Sequence, residues 1–334
     1  MTAKSAAILS LAAMAALFDA VLALMVGGTP IAPAQIVWSL AHPHALSDVG
    51  TIVWSLRLPR VVIAALVGAA LATAGFELQG LLRNPLVDPS LVGVSAGAGA
   101  AIAIGVALGV ALPLVPGIGF GAGLGVALLV ALLARRGGRL DVERLILAGV
   151  SLSAFFAAIV TMALTALSRG ETDAIIAWLA GSLAGHGWIE LGWALPYAGV
   201  GFVIAVAAIP SLNALRLGPA LAVSVGVDVV RVQWLLLASA ALLTAAAVSL
   251  SGMVGFVGLI VPHLARRLIG TDARCALPLT ALLGAILVTS ADAVSRTLLA
   301  PAEIPLGVLL AFFGVPTFLY LYLRSDGAAR LWGT

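Results

Sequence analysis

Charge is what this sequence has least of. Asp, Glu, Lys and Arg make up 9% of its 334 residues, against ~25% in soluble domains. It contains a single lysine, Lys4, and a single cysteine, Cys275. A phosphate-cradling P-loop needs a lysine to reach the phosphates, so this chain cannot supply one. One cysteine excludes an internal disulfide and any multi-cysteine metal site, and Cys275 reads as a small buried apolar residue. Strand-type alternation is also missing, which argues against a β-barrel.

Apolar sequence is abundant: 62% of residues are hydrophobic and the mean hydropathy is +1.19. No globular core of this size hides so much apolar surface, so most of it must face lipid or other membrane helices. Apolar segments fall at 5–27, 60–82, 91–110, 114–134, 143–167, 190–210, 232–250, 254–268, 275–298 and 304–323. Judged against the ~20 residues of a spanning helix, they predict an all-α polytopic membrane protein of about ten transmembrane helices. They run nearly end to end, so residues 1–334 form one transmembrane domain with no soluble domain beside it. The first run exceeds the ~7–15 residues of a signal-peptide core and reads as an uncleaved helix, although Ala32-Pro33-Ala34 resembles a cleavage site. A net charge of +3 with scattered arginines forms no basic face and excludes nucleic-acid binding.

The arginines orient the chain. With both termini inside, Lys4, Arg83, Arg135, Arg136, Arg139, Arg144, Arg216, Arg231, Arg266, Arg267, Arg274, Arg324 and Arg330 are cytoplasmic, and only Arg57, Arg60, Arg169 and Arg296 lie outside. The same count interprets the uncharged window Val232–Val261, which is too long for one upright helix and too short for two. A hairpin of two shorter helices turning near Ser249–Gly252 keeps Arg231, Arg266, Arg267 and Arg274 on the inner side.

Gly93/Gly97 and Gly117/Gly121/Gly125 form small-residue spacings that let helix backbones approach in lipid. Glycines 117–123 also imitate a dinucleotide fingerprint, but the preceding strand and later acidic residue are missing. Gly93-Val94-Ser95-Ala96-Gly97 imitates a nucleophile elbow, yet it opens an apolar helix, so packing is expected instead of an intramembrane hydrolase. His42 and His44 flank Pro43 in an outer loop and could touch a metal or haem, though a solvated loop accounts for them; His186 is read the same way. His263 follows Pro262, where its ring could satisfy carbonyls freed by the proline. Asp19 and Glu77 have no local partner, whereas Asp292 and Arg296 stand four apart on one helix face. Such intramembrane carboxylates keep a proton-coupled secondary carrier open as an alternative. Arg57, Arg60 and Arg296 are either snorkelling side chains or a cationic rim that docks acidic groups of an external partner.

Several blocks in order resemble one family: Arg57-Leu-Pro-Arg60, Gln79, Arg83-Asn-Pro-Leu-Val-Asp-Pro-Ser90, Leu91 to Gly97 and Leu147-Ala-Gly149. Gly255 to His263, Ala291-Asp292 through Arg296, and Glu303-Ile-Pro-Leu-Gly307 follow. The chain is similar to the FecCD/BtuC-type permeases of ABC importers for ferric siderophores, haem and cobalamin.

That resemblance implies a BtuC-like (type II importer) fold. It implies a homodimer with the path at its interface, two ATP-binding subunits, and a periplasmic or extracellular binding protein. It implies that Arg57, Arg60 and Arg296 meet glutamates of the binding protein, and that Asn84, Leu86, Val142 and Glu143 close the path at the cytoplasmic side. Residues 211–228 become the segment that sits on the ATPase, with Leu217, Gly218, Pro219, Ala220 and Gly226 at its centre. Where family members carry small polar residues, this chain has Asp141-Val142-Glu143, and Pro219 replaces a common glutamate. The chain is then expected to be no enzyme and to bind no cofactor or metal, leaving ATP and Mg to its partner, in a bacterial inner membrane. Haem is the favoured cargo because the path should be strongly apolar; ferric siderophore or cobalamin are the alternatives.

Overall fold

A computed structural model describes residues 2–27, 31–43, 47–110, 114–137 and 139–324. His44 and Arg330 lie outside the described residues. The chain forms helices α1 (Ala3–Met25), α2 (Pro33–Ala41), α3 (Asp48–Thr51), α4 (Leu58–Leu82), α5 (Val94–Ala107), α6 (Val115–Leu133), α7 (Val142–Ala166) and α8 (Arg169–Ala180). It continues through α9 (Trp188–Ala207), α10 (Ile209–Arg216), α11 (Pro219–Ser224), α12 (Val229–Ser251), α13 (Val257–Ile269), α14 (Ala273–Ser295) and α15 (Leu306–Arg324). A two-residue antiparallel pair, β1 (Arg135–Arg136) with β2 (Arg139–Leu140), joins α6 to α7.

Among the described residues, seven helical stretches are long and apolar enough to cross a membrane. The other three expected segments are α5, α13 and α15, of which α5 has 14 residues and α13 has 13. These two are short because irregular chain replaces part of each crossing. Residues 83–93 turn back into the protein, burying Val87, Pro89 and Val92. Residues 252–256 lead into α13 with Gly252 at φ 65° and Phe256 at φ 67°. The two pieces touch: a Cβ on Gly258 would lie 2.4 Å from Pro89 Cδ. Non-helical backbone at membrane depth survives where protein surrounds it, as here.

The expected hairpin therefore takes an unequal form. α12 continues through Ser251 as a 23-residue helix, and only α13 is short. Two further elements lay below the length of a spanning segment and were not anticipated, α2 and α8. The second apolar segment also begins earlier, as one helical stretch over 48–82 with a wider π turn at Ile52–Arg57. Ser47 caps its start by accepting from Gly50 N at 3.0 Å. The wide turn precedes Pro59, whose missing N–H cannot serve the carbonyl four residues back.

α4 is the central post, buried along most of its length and packed by α9, α12, α13 and α14. Small residues set these contacts: a Cβ on Gly68 would lie 2.0 Å from Gly284 O, and one on Gly75 2.0 Å from Gly258 O. Gly97 meets Val126 as expected of a packing glycine. Gly117, Gly121 and Gly125 have nothing within 4 Å, because α6 turns Gly119 and Gly123 towards α5 instead. α12 and α14 start on Asp228 and Asp272, and α7 starts on Asp141, each accepting a backbone N–H of its first turn. The acidic Asp141 is thus a helix cap.

Candidate functional site

One end of the bundle holds the three arginines expected outside. α1 ends there, and its last carbonyls have no helical partner. Arg57 Nη1 donates to Leu24 O at 2.7 Å and Met25 O at 3.0 Å, and Arg296 Nη2 donates to Ala23 O at 2.7 Å. Two arginines from α14 and the π turn so close the C-terminus of α1, where cations are favoured. Both are buried, Arg57 at 5% and Arg296 at 8% exposure.

Arg60 turns the other way, towards α14. Its Nε donates to both Asp292 oxygens at 3.0 and 3.1 Å, and its Nη2 to Asp292 Oδ1 at 2.9 Å. Its outer edge holds Glu303 through Nη1–Oε1 at 3.0 Å and Nη2–Oε2 at 2.9 Å. Asp292 also faces Arg296 Nε at 3.4 Å, the pair expected from their spacing. The three guanidinia line one cleft of about 770 Å³ together with His186, Glu190 and Glu303. Arg60, by its hydrogen bonds and its charge, holds the Glu303 carboxyl below the ordinary carboxylate range. Burial lowers His186 despite the nearby Glu190 charge.

A depressed folded-state value means that the Arg60–Glu303 pair stabilises above the ordinary Glu range and is lost as pH falls through the lower folded value. Glu303 is well exposed, so the effect is below ~1 kcal/mol. Glu303→Gln is expected to lower the thermal midpoint slightly at neutral pH, where the pair is intact, and to converge with the parent below about pH 4 as the Glu303 carboxyl is protonated; equal midpoints at neutral pH would show that the pair adds no stability.

The opposite end gathers the elements expected to be cytoplasmic. Asn84 Oδ1 accepts Leu86 N at 2.9 Å, folding the turn after α4, and Leu86 is 43% exposed. Val142 packs on the core at the start of α7, and Glu143 is exposed beside it. α10 and α11 meet at Gly218, φ 103°, with Pro219 opening α11 as its first residue. Gly226 closes the pair at φ 85°, and Leu217 is exposed beside Ala220. Val223, which the family resemblance makes an apolar replacement for a frequent basic residue, extends this exposed apolar face together with Leu221 and Val225, which the sequence did not single out.

α10 is anchored inward. Asn213 Nδ2 donates to Asp272 Oδ1 at 2.7 Å, Asn213 Oδ1 accepts Ala273 N at 2.8 Å, and Arg216 donates to Thr271 O. Asp272, capping α14, has its carboxyl held below the ordinary range by backbone and Asn213 donors.

Between the ends lie the remaining candidates. Asp19 Oδ1 accepts from Ser290 at 2.7 Å and Glu77 Oε2 pairs with Ser239 at 2.9 Å. Each carboxyl so has one serine on a different helix, and among the described residues no hydrogen bond joins the two pairs. Ser95 sits inside α5 with no strand before it, so the nucleophile-elbow geometry is absent. It lines a largely apolar cavity of about 660 Å³ with Ser90, Ser153, Thr161 and Met253. His42 stacks on Trp38 and bonds its carbonyl. His263 does not serve the freed carbonyls: its Nε2 is buried without a hydrogen-bond partner, inside α13. Among the described residues no group of three or more His, Cys, Asp or Glu could hold a metal.

Comparison with known proteins places this geometry. The model of the FecCD transport family matches residues 15–324. The cobalamin import system permease protein BtuC of Halobacterium salinarum is 38% identical over 297 residues, 88% of this chain and 80% of its own length. The hemin transport system permease protein HmuU of Yersinia pestis is 38% identical over 279 residues, 82% of this chain and 84% of its own. A solved inward-facing transporter, described as of the metal-chelate ABC type, superposes with a TM-score of 0.85 at 31% identity, covering 95% of this chain and 99% of its own. With a family match across nearly every described element, this chain is a multi-pass membrane protein that belongs to the FecCD transport family.

Proposed function

We propose that this chain is the permease subunit of an ATP-driven importer that passes a large metal chelate from a binding protein into the cytoplasm. The observation that carries the reading is the family match over residues 15–324 on a fold shared with a metal-chelate type transporter. Two copies of the chain form the path, two ATP-binding subunits use ATP and Mg, and both termini face the cytoplasm of a bacterial inner membrane. The exposed apolar face of Leu217, Leu221 and Val223 is the ATPase contact, and residues 84–86 with 142–143 form the cytoplasmic gate. Isolated Asp–Ser and Glu–Ser pairs disfavour the proton-coupled carrier, which needs groups along a continuous path.

The arginine cleft is the docking site for acidic residues of the binding protein. Charge reversal at Arg57 or Arg296 would strip the end of α1, so Arg60 is the position to test. Arg60→Lys keeps the charge and loses the planar fork. Its expected effect is about a tenfold loss of binding-protein affinity, ~1.4 kcal/mol, with a lower thermal midpoint because Asp292 and Glu303 lose part of their hydrogen bonding. Unchanged affinity removes the docking assignment.

Cargo is proposed as haem first, on the apolar cavity beside Ser95, with ferric siderophore and cobalamin as alternatives. Relatives named for cobalamin or vitamin B12 are 36%, 38% and 40% identical and one named for hemin is 38% identical, so identity does not rank the cargoes. The visible spectrum of the loaded cognate binding protein decides: a Soret band supports haem, and corrin or charge-transfer bands replace it with an alternative.

A further inference from the structure

Pro262 stands inside α13 and has no N–H. The carbonyl four residues earlier, Gly258 O, therefore lacks its helical donor. A side chain from another helix supplies one. Gln79 Nε2, on α4, donates to Gly258 O at 3.0 Å, with Leu259 O at 3.3 Å. The same amide reaches Val87 O at 3.2 Å in the segment after α4. Its other end, Oε1, accepts from Arg266 of α13, whose guanidinium lies 5.2 Å from the Phe76 ring centroid. Gln79 is fully buried and Arg266 nearly so. One side chain so joins α4, both halves of α13 and the 83–92 segment.

The far end of α13 is joined as firmly to the coupling side. The α13–α14 joint receives Arg216 at Thr271 O, and Asn213 at Asp272 and Ala273. The near end follows Gly252 and Phe256, both with left-handed backbone. Such positions absorb rotation where a hinge is needed. Helix α13 is thus a 13-residue rod with a jointed start, one end on α10 and its body on Gln79.

We propose that α13 is the lever that carries movement of the α10–α11 pair to the segment after α4, and that Gln79 is the positioning residue at its working end. This rests on the gate and coupling assignments made above. When the ATP-binding subunits displace α10, the joint at Thr271–Ala273 moves α13. Gln79, holding Gly258 and Val87 with one amide, makes the 83–92 segment follow. Replacing the amide by an apolar group of similar size leaves the rod in place and releases the segment.

The test uses the chain assembled with its ATP-binding subunits in lipid nanodiscs, with buried Cys275 replaced by alanine and Leu86→Cys as the reporter. The rate of thiol labelling by a soluble maleimide is read with and without ATP and vanadate. ATP is expected to change the rate at least about fivefold, within the usual range of coupling between sites. Gln79→Leu is expected to abolish that change while ATP hydrolysis continues. Adding Pro262→Ala to Gln79→Leu returns a backbone donor to Gly258 O but no acceptor to Arg266, so the thermal midpoint recovers in part and the ATP response does not. An ATP response that survives Gln79→Leu overturns the lever alone. Recovery of both midpoint and response in the double variant also overturns it, making Gln79 a cap for Gly258. A Leu86→Cys rate insensitive to ATP in the chain with Gln79 intact overturns the gate reading, and the lever with it.

Discussion

Gly75→Ala is expected to prevent the present packing of α4 on α13. The added Cβ would stand 2.0 Å from Gly258 O and 2.5 Å from its Cα. Both sides of that contact are backbone, so no side chain can rotate aside, and the helices must part by more than an ångström. Overpacking in a filled core costs about 1–3 kcal/mol and sometimes more, and the rigid neighbours put this site at the upper end. Parting the helices also pulls Gly258 O from Gln79, which adds an unsatisfied buried carbonyl. A fall in thermal midpoint of about 5–10 °C, with loss of monodisperse protein in detergent, is the expected result. Gly121→Ala is the control: nothing lies within 4 Å of its Cβ, and the fold of the chain should be unaffected. Equal midpoints for the two variants would show that α4 and α13 are not in backbone contact.

The second large effect is expected at Asp292. Its carboxylate is almost fully buried and accepts three hydrogen bonds from Arg60 while facing Arg296. Asp292→Asn keeps the shape and removes the charge. Two guanidinia then flank a neutral amide, with Glu303 opposing only the outer edge of Arg60. Removing one partner of a buried ion cluster costs about 3–5 kcal/mol, because the remaining charge loses its compensation. Arg296→Gln added to Asp292→Asn removes one of the unbalanced cations and is expected to recover part of the loss, a coupling that a double-mutant cycle reads directly. Additive losses would mean that Asp292 and Arg296 act independently. Since Arg296 also closes the end of α1, the recovery should be incomplete.

These two positions differ in how far they could be anticipated. The Asp292–Arg296 pair follows from a four-residue spacing on one helix. The stronger partner of Asp292, Arg60, is 232 residues away in the chain and carries no local signal. The gathering of Arg57, Arg60 and Arg296 at one end of the bundle follows from counting charges. That Arg57 and Arg296 serve carbonyls of α1 does not, because any cation near a helix C-terminus could have done so. Glycine spacing shows the same limit. It identified α5 and α6 as close-packing helices, yet Gly119 and Gly123 make the contact where Gly117, Gly121 and Gly125 were expected. Two glycine faces on one helix are equivalent until a neighbour takes one of them. Pro262 likewise announces a freed carbonyl at Gly258, and adjacency favours His263 to answer it. Gln79 answers instead, because α4 brings an amide with two donors directly onto that carbonyl.

By itself the sequence determined a membrane protein of about ten apolar segments, the bias of its arginines to one side, and the ordered blocks of one family. Each depends on local length, local charge or residue order. Only the tertiary structure decided that two crossings are completed by irregular chain, and which carbonyls and carboxylates the buried cations and amides hold. The physical reason is that a buried polar group must find a partner wherever packing places one, and packing joins residues that the chain keeps far apart.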